Sequence, residues 1–324
     1  FKFNSSSLVG CATAFLGVFL FCCFLILQTS KASEGDRCVQ YQGCLQPCQH
    51  QCKDGIFDKN QTRYMLLLGW DCREECKYTC MWKTVEAYEA ANVRVPQFHG
   101  KWPFVRIIGV QEPASVLFSI LNGISNIWAY KQYYSAVSSN APLYTTTTIH
   151  AILAANAWLW SSVFHARDFP WTEKLDYFCA TSLVLYSFYL SIHRLSYELH
   201  GHNVHILRWI AGNLIGAFYL GHISYLTFQS FDYGYNMKAN VAVGLMNSIT
   251  WLSLCFHLHV KKMAAAIIMT NLFLMFELSD FPPVWWTFDA HSIWHFLTIP
   301  MPLLVYSFLK DESLKLQKEY ETKQ

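Results

Sequence analysis

Charged side chains are scarce in this chain of 324 residues, where Asp, Glu, Lys and Arg make up only 14% of the sequence. An ordinary soluble domain has roughly a quarter. The formal net charge is only +2, so the chain has no strong basic field to bind nucleic acid by counterion release. These shortages argue against a cytosolic globular protein and against DNA or RNA as a partner.

Three familiar catalytic signatures are also missing from the sequence. It has no Gly-x-Ser-x-Gly motif, so a serine esterase with a nucleophile elbow is unsupported. The segment His291-Ser-Ile-Trp-His295 lacks the glutamate of a His-Glu-x-x-His metalloprotease, and no glycine-rich loop is present to bind phosphate. Any chemistry must therefore come from another constellation of residues.

The amino-terminal segment is apolar and short. A hydrophobic stretch at residues 8–27 is followed by Ser30-Lys31-Ala32, a small-x-small pattern that suits signal peptidase. We therefore interpret residues 1–32 as a signal peptide. The alternative is an uncleaved anchor helix, because the stretch is long enough to cross a membrane. Both interpretations place the next segment in the lumen.

Residues 33–112 are polar and rich in cysteine. They contain seven of the twelve cysteines together with an N-glycosylation sequon at Asn60. This combination indicates an oxidising compartment, so we expect a glycosylated lumenal domain.

Six of these cysteines form two trios, and within each trio the spacing is four residues. Each trio would lie along one face of a helix, so the two helices could be stapled together as an antiparallel hairpin. The predicted pairs are Cys44 with Cys80, Cys48 with Cys76, and Cys52 with Cys72. Cys38 remains outside this pattern. Six cysteines allow 15 connectivities, and zinc binding is a rival use for the thiols.

Beyond residue 112 the composition changes to seven apolar stretches, each close to the ~20 residues that a membrane helix needs. They cover residues 113–131, 144–165, 175–195, 205–226, 238–259, 262–279 and 291–309. The predicted fold is an all-α membrane protein, a seven-transmembrane-helix bundle over residues 113–309 with a small disulfide-rich N-terminal lumenal domain. Nine Lys and Arg residues fall on the predicted cytosolic side and three in the lumenal loops, which agrees with a cytosolic tail at residues 310–324.

Five polar side chains are predicted to meet at the lumenal face. Ser161 and His165 lie near the end of the second stretch, Asp176 near the start of the third, and His291 and His295 at the start of the seventh. Ionisable groups in membrane helices are costly, so each is a candidate functional group. The three histidines could bind zinc and leave a fourth position open, which is typical of a catalytic site. Asp176 and Ser161 could then assist an attacking water.

Each of these residues also has a purely structural interpretation. A histidine at a helix end is often an interfacial residue with a satisfied hydrogen bond, and serine often bonds to the backbone of its own helix. Asp168 lies in a predicted loop, where we expect a solvated charge. His200, His202 and His205 are close in sequence, but a solvated turn explains them more simply.

These motifs resemble those of the seven-helix CREST hydrolase superfamily, which includes alkaline ceramidases and the adiponectin-receptor group. The matching patterns are Ser161-x3-His165, Asp176 within LDYF, and His291-x3-His295 preceded by Asp-Ala. Within the superfamily, three further segments and the cysteine-rich domain are similar to the post-GPI-attachment-to-proteins factor 3 family. The segments are residues 96–104 (PQFHGKWPF), 231–236 (FDYGYN) and 280–283 (DFPP).

The resemblance implies a GPI-specific phospholipase A2-type hydrolase of the Golgi membrane, which removes the unsaturated sn-2 acyl chain from GPI-anchored proteins. It further implies Zn²⁺ bound by His165, His291 and His295, with Ser161 and Asp176 as catalytic residues. The expected partners are GPI-anchored proteins, whose lipid is the substrate, and membrane lipids. Two alternatives stay open: a ceramidase-like amide hydrolase, and a non-catalytic seven-helix lipid receptor that keeps zinc for structure.

Overall fold

The computed structural model describes residues 33–52, 62–201 and 204–322, and the regular structure of these residues is helical. The predicted signal peptide at residues 1–32 and the sequon at Asn60 fall outside the described residues.

The cysteine-rich region is a helical hairpin closed by disulfide bonds. Its helices are α1 (Glu34–Arg37), α2 (Val39–His50), α3 (Arg63–Leu67) and α4 (Cys72–Ala90). The predicted pairing is confirmed: the bonds are Cys44–Cys80, Cys48–Cys76 and Cys52–Cys72. The first cysteine of one trio pairs with the last cysteine of the other, and the last pairs with the first. The two helices therefore run antiparallel.

Side chains around these bonds complete a small core. Tyr41 and Val85 are buried against the disulfides. Cys38 is a free thiol at the N-cap of α2, where its Sγ accepts a hydrogen bond from the Tyr41 N–H at 3.4 Å. The odd cysteine of the sequence is therefore a helix cap in this structure.

Eight helices of different lengths form the bundle in the described part of residues 113–322. They are α5 (Pro113–Ala136), α6 (Tyr144–Ala166), α7 (Pro170–His200), α8 (His205–Ser224), α9 (Tyr233–Leu258), α10 (Lys261–Glu277), α11 (Ala290–Thr298) and α12 (Met301–Glu321). A π-helical turn, Tyr225–Gln229, continues α8. Each predicted apolar stretch lies on one of these helices, but the seventh is divided between α11 and α12, where Pro300 cannot donate a backbone hydrogen bond.

Several helix starts follow from local sequence. Pro113 and Pro170 occupy the first turns of α5 and α7, where a missing N–H costs nothing. Asp232 and Asp289 cap α9 and α11, each accepting a hydrogen bond from the backbone N–H three residues later. The cap at Asp289 fixes the start of the helix that carries two of the candidate ligands.

Three helical segments of the described chain are long and apolar enough to cross a membrane. They are Pro170–His200, Tyr233–Leu258 and Ala290–Glu321. A protein with several membrane spans is therefore supported by length and composition. The count of seven and the orientation stay predictions.

The disulfide hairpin is attached to one end of the bundle. The Arg167 guanidinium, just after α6, donates to the Glu74 carboxylate of α4 at 3.0 Å. The linker after α4 also joins the loop before α11, because the Val105 N–H donates to the Trp286 carbonyl oxygen at 2.9 Å. The end of α6 and the starts of α7 and α11 therefore lie beneath the hairpin.

Candidate metal centre

Three histidines converge at the end of the bundle that lies beside the hairpin. His165 comes from the last turn of α6, and His291 and His295 lie one turn apart on α11. The Nε2 atom of His291 is 3.2 Å from Nε2 of His165 and 2.8 Å from Nε2 of His295. The structure thus brings together the three histidines that the sequence singles out, in a group able to hold one metal ion.

Two carboxylates fix the orientation of two of these rings. His165 Nδ1 lies 2.7 Å from Glu112 Oε2, and His291 Nδ1 lies 2.6 Å from Glu277 Oε2. Each Nδ1–H donates to its carboxylate, so a neutral ring carries its lone pair on Nε2. Two lone pairs that face each other at 3.2 Å repel unless a cation lies between them. This donor set therefore fits a bound metal ion.

The third ring is held by packing rather than by a carboxylate. His295 is 2% exposed, and its ring packs edge-on against Trp158 of α6 with centroids 5.3 Å apart. Its backbone carbonyl accepts a hydrogen bond of 2.7 Å from the buried Asn122 amide of α5. Its Nδ1 is buried and has no partner among the described residues. Three nitrogen donors from two helices match the protein ligands of a catalytic zinc site.

The two other predicted site residues border this cluster. Ser161 is buried one turn before His165, and its Oγ lies 3.0 Å from the hydroxyl of Ser119 on α5. Asp176, in the second turn of α7, interacts electrostatically with His165 and His291. The structure therefore places Ser161 in a hydroxyl pair and Asp176 within electrostatic range of the imidazoles.

A lysine from the linker completes the support of His165. Lys101 Nζ lies 2.5 Å from Glu112 Oε1 and 3.0 Å from Asp168 Oδ2. Burial alone would raise the pKa of Glu112, but the charge of Lys101 and the hydrogen bonds from His165 and Lys101 hold it well below its usual range. Asp168 is consequently a partner in a charge network rather than the solvated charge expected from the sequence.

Sequence reasoning missed Glu112, Glu277 and Lys101. Glu277 had a usable signal, because it is an ionisable residue inside the sixth apolar stretch. Glu112 and Lys101 had none, since they lie in the polar linker, and Glu112 is 53 residues away from the histidine that it contacts. Only the packing of the linker on α6 brings these groups together.

Two buried histidines elsewhere in the described chain have ordinary hydrogen-bonding partners. His150 lies between the hydroxyls of Tyr306 and Ser187, at 3.1 and 3.0 Å. His193 Nδ1 is 2.8 Å from the Thr146 hydroxyl. The run at positions 200–205 is interrupted by residues outside the described part, and His200 and His205 belong to none of the metal-competent groups found among the described residues.

Comparison with known proteins places this arrangement in a family. The sequence profile of the Per1-like family matches residues 62–313, which include every residue of the cluster and its carboxylate partners. No solved structure matches the chain.

Curated relatives are similar along nearly their whole length. The protein called GPI-specific phospholipase A2-like PGAP3 of Homo sapiens is 44% identical over 303 residues, which cover 91% of this chain and 93% of that protein. The protein of the same name from Danio rerio is 42% identical, covering 90% and 94%. Post-GPI attachment to proteins factor 3 of Drosophila melanogaster is 37% identical, covering 85% and 87%. The family resemblance read from the motifs is confirmed, and the chain belongs to the Per1-like family.

Proposed function

We propose that this protein is a GPI-specific phospholipase A2-type hydrolase that uses zinc and removes the unsaturated sn-2 acyl chain from the lipid of GPI-anchored proteins. The observation that carries the proposal is the cluster of three histidines oriented by Glu112 and Glu277. The names of the human and zebrafish relatives, at 42–44% identity, support the GPI lipid as substrate.

The chain's residues would divide the work of ester hydrolysis. A zinc ion held by His165, His291 and His295 would polarise the ester carbonyl and lower the pKa of an adjacent water. Asp176 would accept a proton from the attacking water and return it to the departing glycerol oxygen. The Ser161 hydroxyl would donate a hydrogen bond to the carbonyl oxygen as negative charge develops there.

The reaction balances with water as the only co-reactant. A bond forms between the water oxygen and the acyl carbon, and the bond between that carbon and the glycerol oxygen breaks. The products are a free fatty acid and a lyso-GPI protein. The apolar helices would contain the acyl chain during the reaction, and Glu112 and Glu277 would keep the two histidine rings in place.

The same proposal assigns a location to each part of the chain. Residues 1–32 would be a signal peptide, residues 33–112 a lumenal domain glycosylated at Asn60, and residues 310–324 a cytosolic tail of a multi-pass Golgi protein. The hairpin supports this placement, because disulfides persist in oxidising compartments. The metal centre would then face the lumen, where GPI-anchored proteins are.

The decisive test measures GPI lipids and bound metal together. Cells lacking the endogenous protein would receive the wild-type chain or His295→Ala, and mass spectrometry would identify the sn-2 chain on surface GPI proteins. We expect unsaturated chains to persist with His295→Ala, and the purified variant to lose about one zinc per chain. Normal remodelling by His295→Ala would overturn the proposal.

The product identifies the bond that is cleaved. Lyso-GPI product from the wild type supports ester hydrolysis, whereas release of sphingosine from ceramide would support the amide hydrolase. A receptor that keeps zinc for structure would give neither product, and the wild type would then be inactive on both lipids.

A further inference from the structure

A cleft of about 470 Å³ lies between the disulfide hairpin and the bundle, beside the metal centre. One wall is formed by the first half of α4 and the three residues before it, the other by the linker and the loop between α6 and α7. Its volume is within the range of pockets that bind small organic ligands, roughly 300–1,000 Å³. No step of the proposed hydrolysis uses it.

The wall between the two domains is a stack of cations and aromatic rings. The guanidinium carbons of Arg106 and Arg167 lie 4.1 and 3.9 Å from the centre of the Trp70 ring. Each arginine also forms hydrogen bonds with α4. Arg106 donates from both terminal nitrogens to the Glu75 carboxylate, and Arg167 donates to the Glu74 carboxylate. These contacts make a rigid wall, since each guanidinium is held on its face and at its edge.

One buried donor on this wall has no partner. Arg167 is 8% exposed, and its Nε lacks a hydrogen-bond acceptor among the described residues. That nitrogen is almost inaccessible, so it is a polar group enclosed within the wall, whereas the charged ends of the neighbouring side chains line the cleft.

The lining is almost balanced in charge. It contains four cationic and three acidic side chains, besides His99. A strongly anionic ligand would meet the acidic side chains, and a purely apolar one would leave the charged groups without water. Sugar hydroxyls both donate and accept, so a polyhydroxylated ligand can pair with cations and carboxylates that alternate over a short distance.

The cleft shares a wall with the metal centre. Lys101 lines it, and its Nζ contacts Glu112, whose other oxygen contacts His165. A lipid with its ester at the histidines would therefore extend its polar head group toward the hairpin, into this cleft.

We propose that the cleft binds the glycosyl-phosphoinositol head group of the lipid substrate, with the sugar hydroxyls on the mixed polar wall. This inference rests on the proposed function, and it assigns to the hairpin the role of selecting glycosylated lipid over plain phospholipid. The head group lies between the hairpin and the loop after α6.

Binding of a head group without acyl chains tests this assignment separately from catalysis. The probe is the lipid-free inositol-phosphate glycan, measured by calorimetry on the full chain in detergent. Met81→Trp places a bulky indole ring in the cleft, and Lys83→Trp places the same ring on an exposed position of the same helix. We expect Met81→Trp to raise the Kd at least tenfold and Lys83→Trp to leave it unchanged. Equal affinity in both variants would overturn the inference.

Two further measurements separate the possible outcomes. Lys77→Met removes a half-exposed cleft cation, so it should fold normally and weaken glycan binding several-fold. If inorganic phosphate binds the cleft as strongly as the glycan does, the cleft is a phosphate site and the assignment is overturned.

Kinetics distinguish failure of the inference from failure of the proposed function. If the cleft selects glycosylated lipid, the ratio of kcat/KM for GPI lipid to that for phosphatidylinositol falls at least tenfold in Met81→Trp and is unchanged in Lys83→Trp. An unchanged ratio in Met81→Trp, with an active wild type, rejects the head-group site alone. A wild type inactive on GPI lipid rejects the proposed function, whatever the glycan binding shows.

Discussion

The two ends of the helical bundle both bury histidines, but they give those histidines different partners. Beside the hairpin, His165 and His291 each donate to a carboxylate, and their Nε2 atoms face another imidazole. Fifteen residues earlier on α6, about 22 Å along the helix, His150 lies between the hydroxyls of Tyr306 and Ser187. Burial alone does not separate these two environments.

The difference lies in what each partner requires of the ring. A hydroxyl can donate or accept, so His150 is satisfied in either neutral tautomer and keeps no lone pair for an ion. A carboxylate only accepts, so it forces the proton onto Nδ1 and leaves Nε2 free to bind a metal. A buried histidine whose Nδ1–H donates to a carboxylate is therefore a candidate metal ligand through its Nε2.

The largest effect is expected where the two ends differ most. His295→Ala should lower hydrolysis of GPI lipid by about 10⁴-fold, because it removes one of the three proposed metal ligands. His150→Ala, the control from the other end, should keep zinc and stay within a few-fold of wild-type activity. Zinc content and lyso-GPI formation measure both variants. An equal loss of zinc in the two variants would remove the distinction between the ends.

The second prediction concerns stability at the end remote from the hairpin. Arg194 is 1% exposed, and its Nε donates to the Glu312 carboxylate at 2.7 Å. Arg194→Met leaves that carboxylate buried without its strongest partner, so we expect a loss of about 3–5 kcal/mol in unfolding free energy.

Thermal unfolding in detergent measures the effect, and zinc affinity of the variant that remains folded provides the comparison. We expect that affinity to equal the wild-type value, because Arg194 contacts neither the histidines nor their carboxylates. A large drop in zinc affinity would show that the two ends are coupled, contrary to the separation described above.

The third prediction tests the carboxylates that orient the rings. Glu277→Gln keeps the size of the side chain but replaces a carboxylate with an amide, which holds the His291 Nδ1–H less strongly. Removing such a partner typically lowers metal affinity by about 10–100-fold. Chelator competition measures this loss, and Glu312→Gln is the matched control. Glu277→Gln binding zinc as tightly as Glu312→Gln would contradict the role of Glu277.

Much of the frame could be predicted from local sequence. The spacing of the cysteine trios gives the disulfide register, because each spacing of four residues corresponds to about one helical turn. The alternation of apolar stretches brings His165 close to the pair on α11. Both features depend on helical periodicity and chain direction, which the sequence specifies directly.

The support of the site could not be predicted in the same way. Glu112 reaches His165 only because the linker folds back along the end of α6, where the Glu112 N–H donates to the His165 carbonyl oxygen. Pro300 divides the seventh stretch, but composition alone does not show whether a proline kinks a helix or breaks it. These features depend on tertiary packing between segments that are distant in sequence.

The smallest effect is predicted for Lys101, a cation that reaches the histidine cluster through one intervening residue. Lys101 acts on His165 only through Glu112, so Lys101→Met should lower zinc affinity by roughly threefold to tenfold, less than loss of the carboxylate itself. Lys262, from the other end, forms an exposed pair with Asp311, and Lys262→Met should have no effect on affinity. Lys101→Arg should restore part of the loss, because a guanidinium can still donate to both carboxylates. If Lys101→Met bound zinc with wild-type affinity, His165 and Glu112 would hold their geometry without the linker lysine. The histidine cluster beside the hairpin would then depend as little on its surroundings as the buried histidine at the other end of the bundle.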